Sequence, residues 1–197
     1  RRIDSQVVTW GYLLMDVVTQ MKKFMEPKSI ALLGVSRSVQ SSDGMSLHIL
    51  DSLLKYGYQG RIYPINPYAT EIMGVKAYRN VRELNENIDL AVINLPRDLI
   101  PQVVKECIGK SIEAIIIQTQ GFADTDDEKG KQLQRELDEL TKGNNVRILG
   151  PNTFGTANAY INFSSTFWET QMEKIPVGFV CQTGVFFLSL AGLKLMG

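Results

Sequence analysis

Between Gly34 and Gly44 the chain reads Gly-Val-Ser-Arg-Ser-Val-Gln-Ser-Ser-Asp-Gly. Glycine leaves backbone N–H groups open, Ser36, Ser38, Ser41 and Ser42 add hydroxyls, Arg37 adds a guanidinium, and a helix-period pattern follows from Met45. Donors of these kinds ahead of a helix start make a phosphate cradle. The glycines do not follow the GxGxxG spacing. At the end of the second apolar run stand Ile65, Asn66 and Pro67, where a dinucleotide site needs an Asp or Glu for the ribose hydroxyls. The expectation is a phosphate-binding loop that is not an NAD site; the alternative is a Ser-rich surface turn without a ligand.

A second group, Gln182, Thr183 and Gly184, lies in "VGFVCQTGVFF". Side-chain and backbone donors at the positive end of an expected helix would face an anion, although the same residues also serve as a plain helix cap. The single histidine, His48, sits on the expected first helix among Leu47, Ile49 and Leu50, and no partner for acid–base work is apparent, so a structural role is expected. The acidic stretch from Asp124 to Gly130 reads as a helix start with Asp124 or Thr125 as cap. No Cys/His metal spacing, GxSxG elbow or Walker A loop occurs.

The elements that position these loops are short apolar runs: Ser29 to Gly34, Arg61 to Asn66, Leu90 to Pro96, Ala114 to Gly121 and Val146 to Asn152. Helix-period stretches lie between them, around Met45 to Tyr56, Ile100 to Lys110 and Asp126 to Leu140. Such alternation predicts a Rossmann-like α/β fold, a doubly wound parallel sheet with helices on both faces and ligands at the carboxyl ends of its strands. Ahead of it, Val7, Trp10, Leu14, Val17, Met21 and Phe24 recur every three or four residues and predict an amphipathic helical arm. That arm packs on its own domain, docks a partner, or belongs to an upstream domain. After Asn152 the texture turns polar and aromatic, as in an extended linker with a short strand or two, and from Val177 a strand, loop and helix theme restarts. The expected organisation is an arm over 1–26, a nucleotide-binding domain over 27–152, a linker over 153–176 and the start of a second α/β domain over 177–197, which the family resemblance described below implies to be flavodoxin-like.

With 197 residues, 44% hydrophobic and 21% charged, the chain has room for one full core and part of another. Basic and acidic residues balance at 21 each, which gives no pull towards nucleic acid or an anionic membrane. No apolar run reaches the ~18 to 20 residues of a membrane span. The two cysteines, Cys107 and Cys181, lie in apolar segments and are expected to be buried thiols of a reducing, cytoplasmic compartment. Starting at Arg1 and stopping inside an apolar helical pattern, the chain is expected to lack one or both natural ends.

The blocks "PKSIALLGVSR", "GRIYPINP", "EIMGVKAYRNVREL", "IDLAVINLP", "EAIIIQTQGF", "RILGPNTFG" and "VGFVCQTGVFF" follow one another in an order and spacing that resembles the CoA-binding half of the NDP-forming acyl-CoA synthetases, the superfamily of ADP-forming acetyl-CoA synthetase and the succinyl-CoA ligase alpha subunit. The resemblance spans about Pro27 to Gly197 and implies coenzyme A as ligand. It places the CoA phosphates on Ser36, Arg37 and Ser38 beside Gly34, and the adenosine end along Asn66 and Pro67. Tyr68 stands where many members carry a lysine. The strand ends Leu95 and Pro96, and Gln118, Thr119, Gln120 and Gly121, are implied to line the rest of CoA. Thr153 replaces a cysteine usual in "GPNTFG". Gln182, Thr183 and Gly184 correspond to an element facing the phosphate on a histidine that lies beyond Gly197.

In this family an acyl phosphate forms from acyl-CoA and phosphate, the histidine takes the phosphoryl group, and ADP or GDP receives it on an ATP-grasp domain or subunit. The chain is therefore expected to be the CoA-binding part of such an enzyme, inactive by itself, with an ATP-grasp partner and room for homo-oligomer formation. The alternatives are a stand-alone CoA-binding regulatory module and, less favoured by Asn66 and Pro67, an NAD-binding redox sensor.

Overall fold

The computed structural model describes residues 17–35, 49–167 and 172–184. Five strands form one parallel sheet: β1 (Ser29–Leu33), β2 (Arg61–Ile65), β5 (Leu90–Ile93), β6 (Ala114–Ile117) and β7 (Arg147–Leu149), in the order β2-β1-β5-β6-β7. Every one falls on an apolar run picked out above. The three central strands, Ser-Ile-Ala-Leu-Leu, Leu-Ala-Val-Ile and Ala-Ile-Ile-Ile, are buried along their whole length. Unbroken β-branched and aliphatic runs suit strands covered on both faces. Pro64, which has no N–H to give a ladder, sits on the edge strand β2.

Alternate residues of each strand feed two cores. Ala31, Leu33, Ala91, Ile93, Ile115 and Ile117 pack with Ile100, Val104 and Cys107 of α3 (Ile100–Gly109) and Leu133 and Leu137 of α4 (Glu128–Thr141). On the opposite face Ile30, Leu32, Leu90, Val92 and Ile116 pack with Leu50 and Leu53 of α2 (Ile49–Tyr56), with Phe24 and with Phe163. Each of the Leu, Ile, Val and Phe side chains among them contributes roughly 1.5–3 kcal/mol of transfer free energy. The sheet is thus doubly wound, and its order reverses between β1 and β5.

Smaller elements complete the domain. Strands β3 (Glu71–Ile72) and β4 (Val75–Lys76) form a hairpin closed by Met73 and Gly74, both at positive φ. Strands β8 (Ala157–Asn158) and β9 (Phe163–Ser164) pair antiparallel in the stretch read as a linker, and Phe163, Ser164, Ser165 and Thr166 are buried against the domain.

Several expectations are corrected. Residues 17–25 are helical (α1), but Met21 is 48% exposed while Gln20 is 4% exposed beside Phe24. A polar network decides that phase: Gln20 Nε2 donates to the carbonyls of Glu113 and Asn145, and its Oε1 accepts from Arg147 Nε at 2.6 Å. At the other end of α1 the carbonyls of Phe24 and Met25 accept from Thr156 Oγ1 and Asn158 Nδ2. The cap of α4 is Asp127, which accepts from Gly130 N at 2.8 Å, and not Asp124 or Thr125. Residues 177–183 form no strand, since no other described segment pairs with them, and Val177, Phe179 and Val180 are exposed. Cys181 is accordingly exposed, whereas Cys107 lies on the core face of α3, where burial pushes its thiol up to about 12.

Candidate functional site

All five strands of the parallel sheet point their carboxyl ends the same way, so the loops after them share one edge. At the reversal between β1 and β5, Gly34 leaves β1 with φ +94°, and a Cβ built on it would land on the carbonyl oxygen of Asn94. Asn94 N in turn donates to Leu33 O at 2.9 Å. The two segments run this close only because position 34 has no side chain, and the crevice of an open α/β sheet lies at such a reversal.

Beside it, the end of β2 is tied to the end of β1. Asn66 Nδ2 donates to Val35 O at 2.9 Å, its Oδ1 accepts from Tyr68 N at 2.8 Å, and its own N–H donates to Tyr78 O at 2.8 Å. Pro67 and Tyr68 project from this turn into solvent, Tyr68 at 80% exposure.

On the β6 side, Thr119 Oγ1 donates to Leu95 O at 2.7 Å and Gln118 Nε2 to Ser165 O at 2.7 Å. Gln118 is 7% exposed, and its Oε1 has no hydrogen-bond partner among the described residues. Gly121, at φ +98°, lies under Arg97: a Cβ there would sit 3.0 Å from Arg97 Cδ. Arg97 Nη1 donates to Gly121 O at 2.9 Å and to Asp127 Oδ2 at 2.8 Å, which joins the loops after β5 and β6. The guanidinium, helped by the N–H of Gly130 and the Thr125 hydroxyl, holds the Asp127 carboxyl well below the usual carboxylate range. Asp124 accepts from the N–H groups of Gly121 and Phe122 and from Asn152 Nδ2, drawing in the loop after β7.

The residues expected in the site therefore divide. Gly34, Asn66, Pro67, Tyr68, Leu95, Pro96 and Gln118 to Gly121 all lie at the carboxyl edge. Asn66, Gln118 and Thr119 direct their hydrogen-bonding groups into the scaffold. Asn94, Pro67, Tyr68, Pro96 and Gln120 are exposed and reach outward. A trough along the β7 side is lined by Asn94, Gln118 to Gln120 and Gln182 to Gly184 together. Gly184 packs on Phe154, whose ring a Cβ at that position would penetrate. Ser36, Arg37, Ser38 and His48 lie outside the described residues.

The sequence did not single out Asn94, Arg97 or Asn152, and Asp124 was expected there only as a helix cap. The one signal for Asn94 was Gly34 itself: a glycine directly after a central strand marks a close approach, though not its partner.

Residues 28–159 match the family model described as "CoA binding domain". The chain is 33% identical over 185 residues to acetate–CoA ligase [ADP-forming] II of Archaeoglobus fulgidus, covering 93% of this chain and 27% of that protein. With acetate–CoA ligase [ADP-forming] I subunit alpha of Pyrococcus furiosus it shares 32% identity over 180 residues, covering 89% of this chain and 38% of that subunit. Among solved structures, the dinucleotide forming acetyl-coenzyme A synthetase 1 of Ca. Korarchaeum cryptofilum, in complex with phosphate and ADP, superposes with a TM-score of 0.77 at 31% identity, covering 90% of this chain and 37% of that one. The chain thus spans between about a quarter and two-fifths of the length of these relatives.

Proposed function

The chain belongs to the CoA-binding domain family found in ADP-forming acyl-CoA synthetases, and from that premise we propose that its carboxyl-edge crevice holds CoA for an acyl-CoA synthetase reaction completed by other parts of the protein or complex. The observation that carries this reading is the reversal between β1 and β5, where Gly34 is pressed on Asn94 and is itself exposed at the carboxyl edge. A side chain at position 34 would fill that approach. The residues fit CoA in kind. The loop from Gly34 to Gly44 brings hydroxyl and guanidinium donors for its phosphates. Exposed Pro67 and Tyr68 offer apolar and aromatic surface for an adenosine, and Gln120 and Asn94 offer polar groups for the amide-bearing arm. No carboxylate stands at the end of β2 to take a ribose diol.

On this reading CoA brings the thiol that carries the acyl group. Gln182, Thr183 and Gly184, on the same trough as Gln118 to Gln120, face the phosphoryl-transfer end. The full reaction converts acyl-CoA, phosphate and a nucleoside diphosphate to acid, CoA and the triphosphate. An ATP-grasp domain or subunit is the partner, the domain division is that given above, and the location is cytoplasmic. No helix among the described residues is long and apolar enough to cross a membrane.

Native mass spectrometry of the purified chain tests the reading: with equal CoA, NAD and ADP present, the expected adduct is one CoA per chain. A dominant NAD adduct, or none with CoA, would exclude it. A regulatory module without catalysis is separated from the enzyme part by adding an ATP-grasp subunit of a relative and looking for CoA-dependent ATP formation from acyl-CoA, ADP and phosphate.

A further inference from the structure

The turn after β6 presents one outward residue, and its backbone is held on both sides. Of residues 118–121 only Gln120 is exposed, and it lies on the trough that Asn94 and Asn152 also line. On its N-terminal side, Thr119 O accepts from Asn152 N at 3.0 Å. On its C-terminal side, Gly121 N donates to the Asp124 carboxylate, 3.2 Å from Oδ1 and 3.1 Å from Oδ2. The Thr119 carbonyl shares a rigid peptide plane with the nitrogen of Gln120, and the Gly121 N–H shares one with its carbonyl. Fixing both planes fixes the two backbone dihedrals of Gln120, and with them the direction in which its side chain leaves the chain.

Asp124 joins the two restraints. Its Oδ2 also accepts from Asn152 Nδ2 at 3.2 Å, and its Oδ1 from Phe122 N at 2.7 Å. An ionised carboxylate has acceptor sites for all three donors and no hydrogen to oppose them, whereas an amide would turn its own N–H groups on one of them. Arg97 Nη1 donates to Gly121 O at 2.9 Å, so Gly121, at φ +98°, is fastened at both its N–H and its carbonyl by charged partners. Hydrogen bonds to ionised groups hold more firmly than neutral ones.

We infer that Asp124 is a positioning residue for CoA: through Gly121 and Asn152 it sets the backbone of Gln120, so that this side chain meets the amide-bearing arm of the ligand in the trough. Asp124 itself does not touch CoA. The inference rests on the CoA reading given above. A turn ordered before binding removes part of the ordering cost that would otherwise weaken affinity.

The test is a double-mutant cycle read by calorimetric titration of CoA into the 197-residue chain, Asp124→Ala, Gln120→Ala and the variant carrying both changes. Each single change should weaken CoA by about tenfold, the scale of one hydrogen bond. Because Asp124 acts through Gln120, the double variant should bind no more than about twofold more weakly than Gln120→Ala alone, whereas independent effects would multiply to about a hundredfold. A residue that merely supports the fold would lower the melting temperature and leave CoA affinity in place. Arg97→Met, which frees Gly121 O, should show the same dependence on Gln120, and it is the deciding variant if Asp124→Ala does not stay folded. Wild-type affinity in the deciding variant or in Gln120→Ala, or losses that multiply, overturns the positioning role while leaving CoA as the ligand. Failure of the wild-type chain to bind CoA overturns the underlying reading, and the inference falls with it.

Discussion

Gly34 and Asn94 meet backbone to backbone where the strand order of the sheet reverses, and nothing larger than hydrogen fits between them. Gly34→Ala should destabilise the chain by at least ~2 kcal/mol, since it adds a displaced backbone to the penalty of positive φ. Gly57 is the internal control: its φ is +70°, but a Cβ there meets nothing within 4 Å. Gly57→Ala should therefore cost only ~1 kcal/mol. Urea unfolding of both variants checks the comparison, and equal losses would mean that the contact at Asn94 relaxes freely.

The Arg97–Asp127 pair predicts a pH dependence. Hydrogen bonding to Arg97, then to Gly130 N and Thr125, lowers the Asp127 carboxyl from its ordinary 3.8. A folded value below the unfolded one gives stability that is fully present above the unfolded pKa and is lost as pH falls through the folded one. Asp127→Asn should thus melt below wild type at about pH 6, and the gap should close as pH drops below about 4. Melting temperatures across that range provide the check; a gap that stays constant would show that charge is not what Asp127 contributes.

At the other end of the trough, Gly184 lies against Phe154, which itself packs at 5.1 Å from the Phe167 ring. Replacing Gly184 by Val drives a branched side chain into that ring. In a complete synthetase carrying this chain, the change should lower phosphoryl transfer by at least ~tenfold, a barrier increase of ~1.4 kcal/mol, with a smaller effect on CoA affinity. Rapid-quench measurement of enzyme-bound phosphate beside a CoA titration separates the two, and equal losses would indicate that the substitution disturbs the whole domain.

The parallel sheet was legible in the sequence because its central strands are buried on both faces and therefore unbroken in hydrophobicity, as in the Ala114 to Ile117 run. What escaped depends on partners far away in the chain. The phase of α1 follows from Gln20 meeting Glu113 and Arg147, and a helical stripe that counts only apolar residues misses it. Asp124 looked like a helix cap; it is drawn instead to the N–H groups of Gly121 and Phe122, and the cap passes to Asp127. The β3–β4 hairpin was missed because Met73-Gly74 fills a turn that more often shows itself as Asn-Gly. At the site, the order of the strand-end loops could be read, whereas the inward turn of Asn66, Gln118 and Thr119 could not. A polar residue after a strand looks the same in sequence whether it holds a ligand or a neighbouring loop.

The central claim, that the loop from Gly34 to Gly44 holds CoA by its phosphates and prefers it to NAD, is tested most directly by titrating CoA and NAD calorimetrically into the chain and into Arg37→Ala. CoA should bind more tightly than NAD. Removal of the guanidinium should weaken CoA by ~1.5 to 3 kcal/mol, the scale of a hydrogen bond to a charged group, without shifting the melting temperature of the free chain. With Tyr68 in place of a second cation, CoA affinity should also fall as salt is raised. Tighter binding of NAD, or CoA affinity indifferent to Arg37→Ala, would contradict the account.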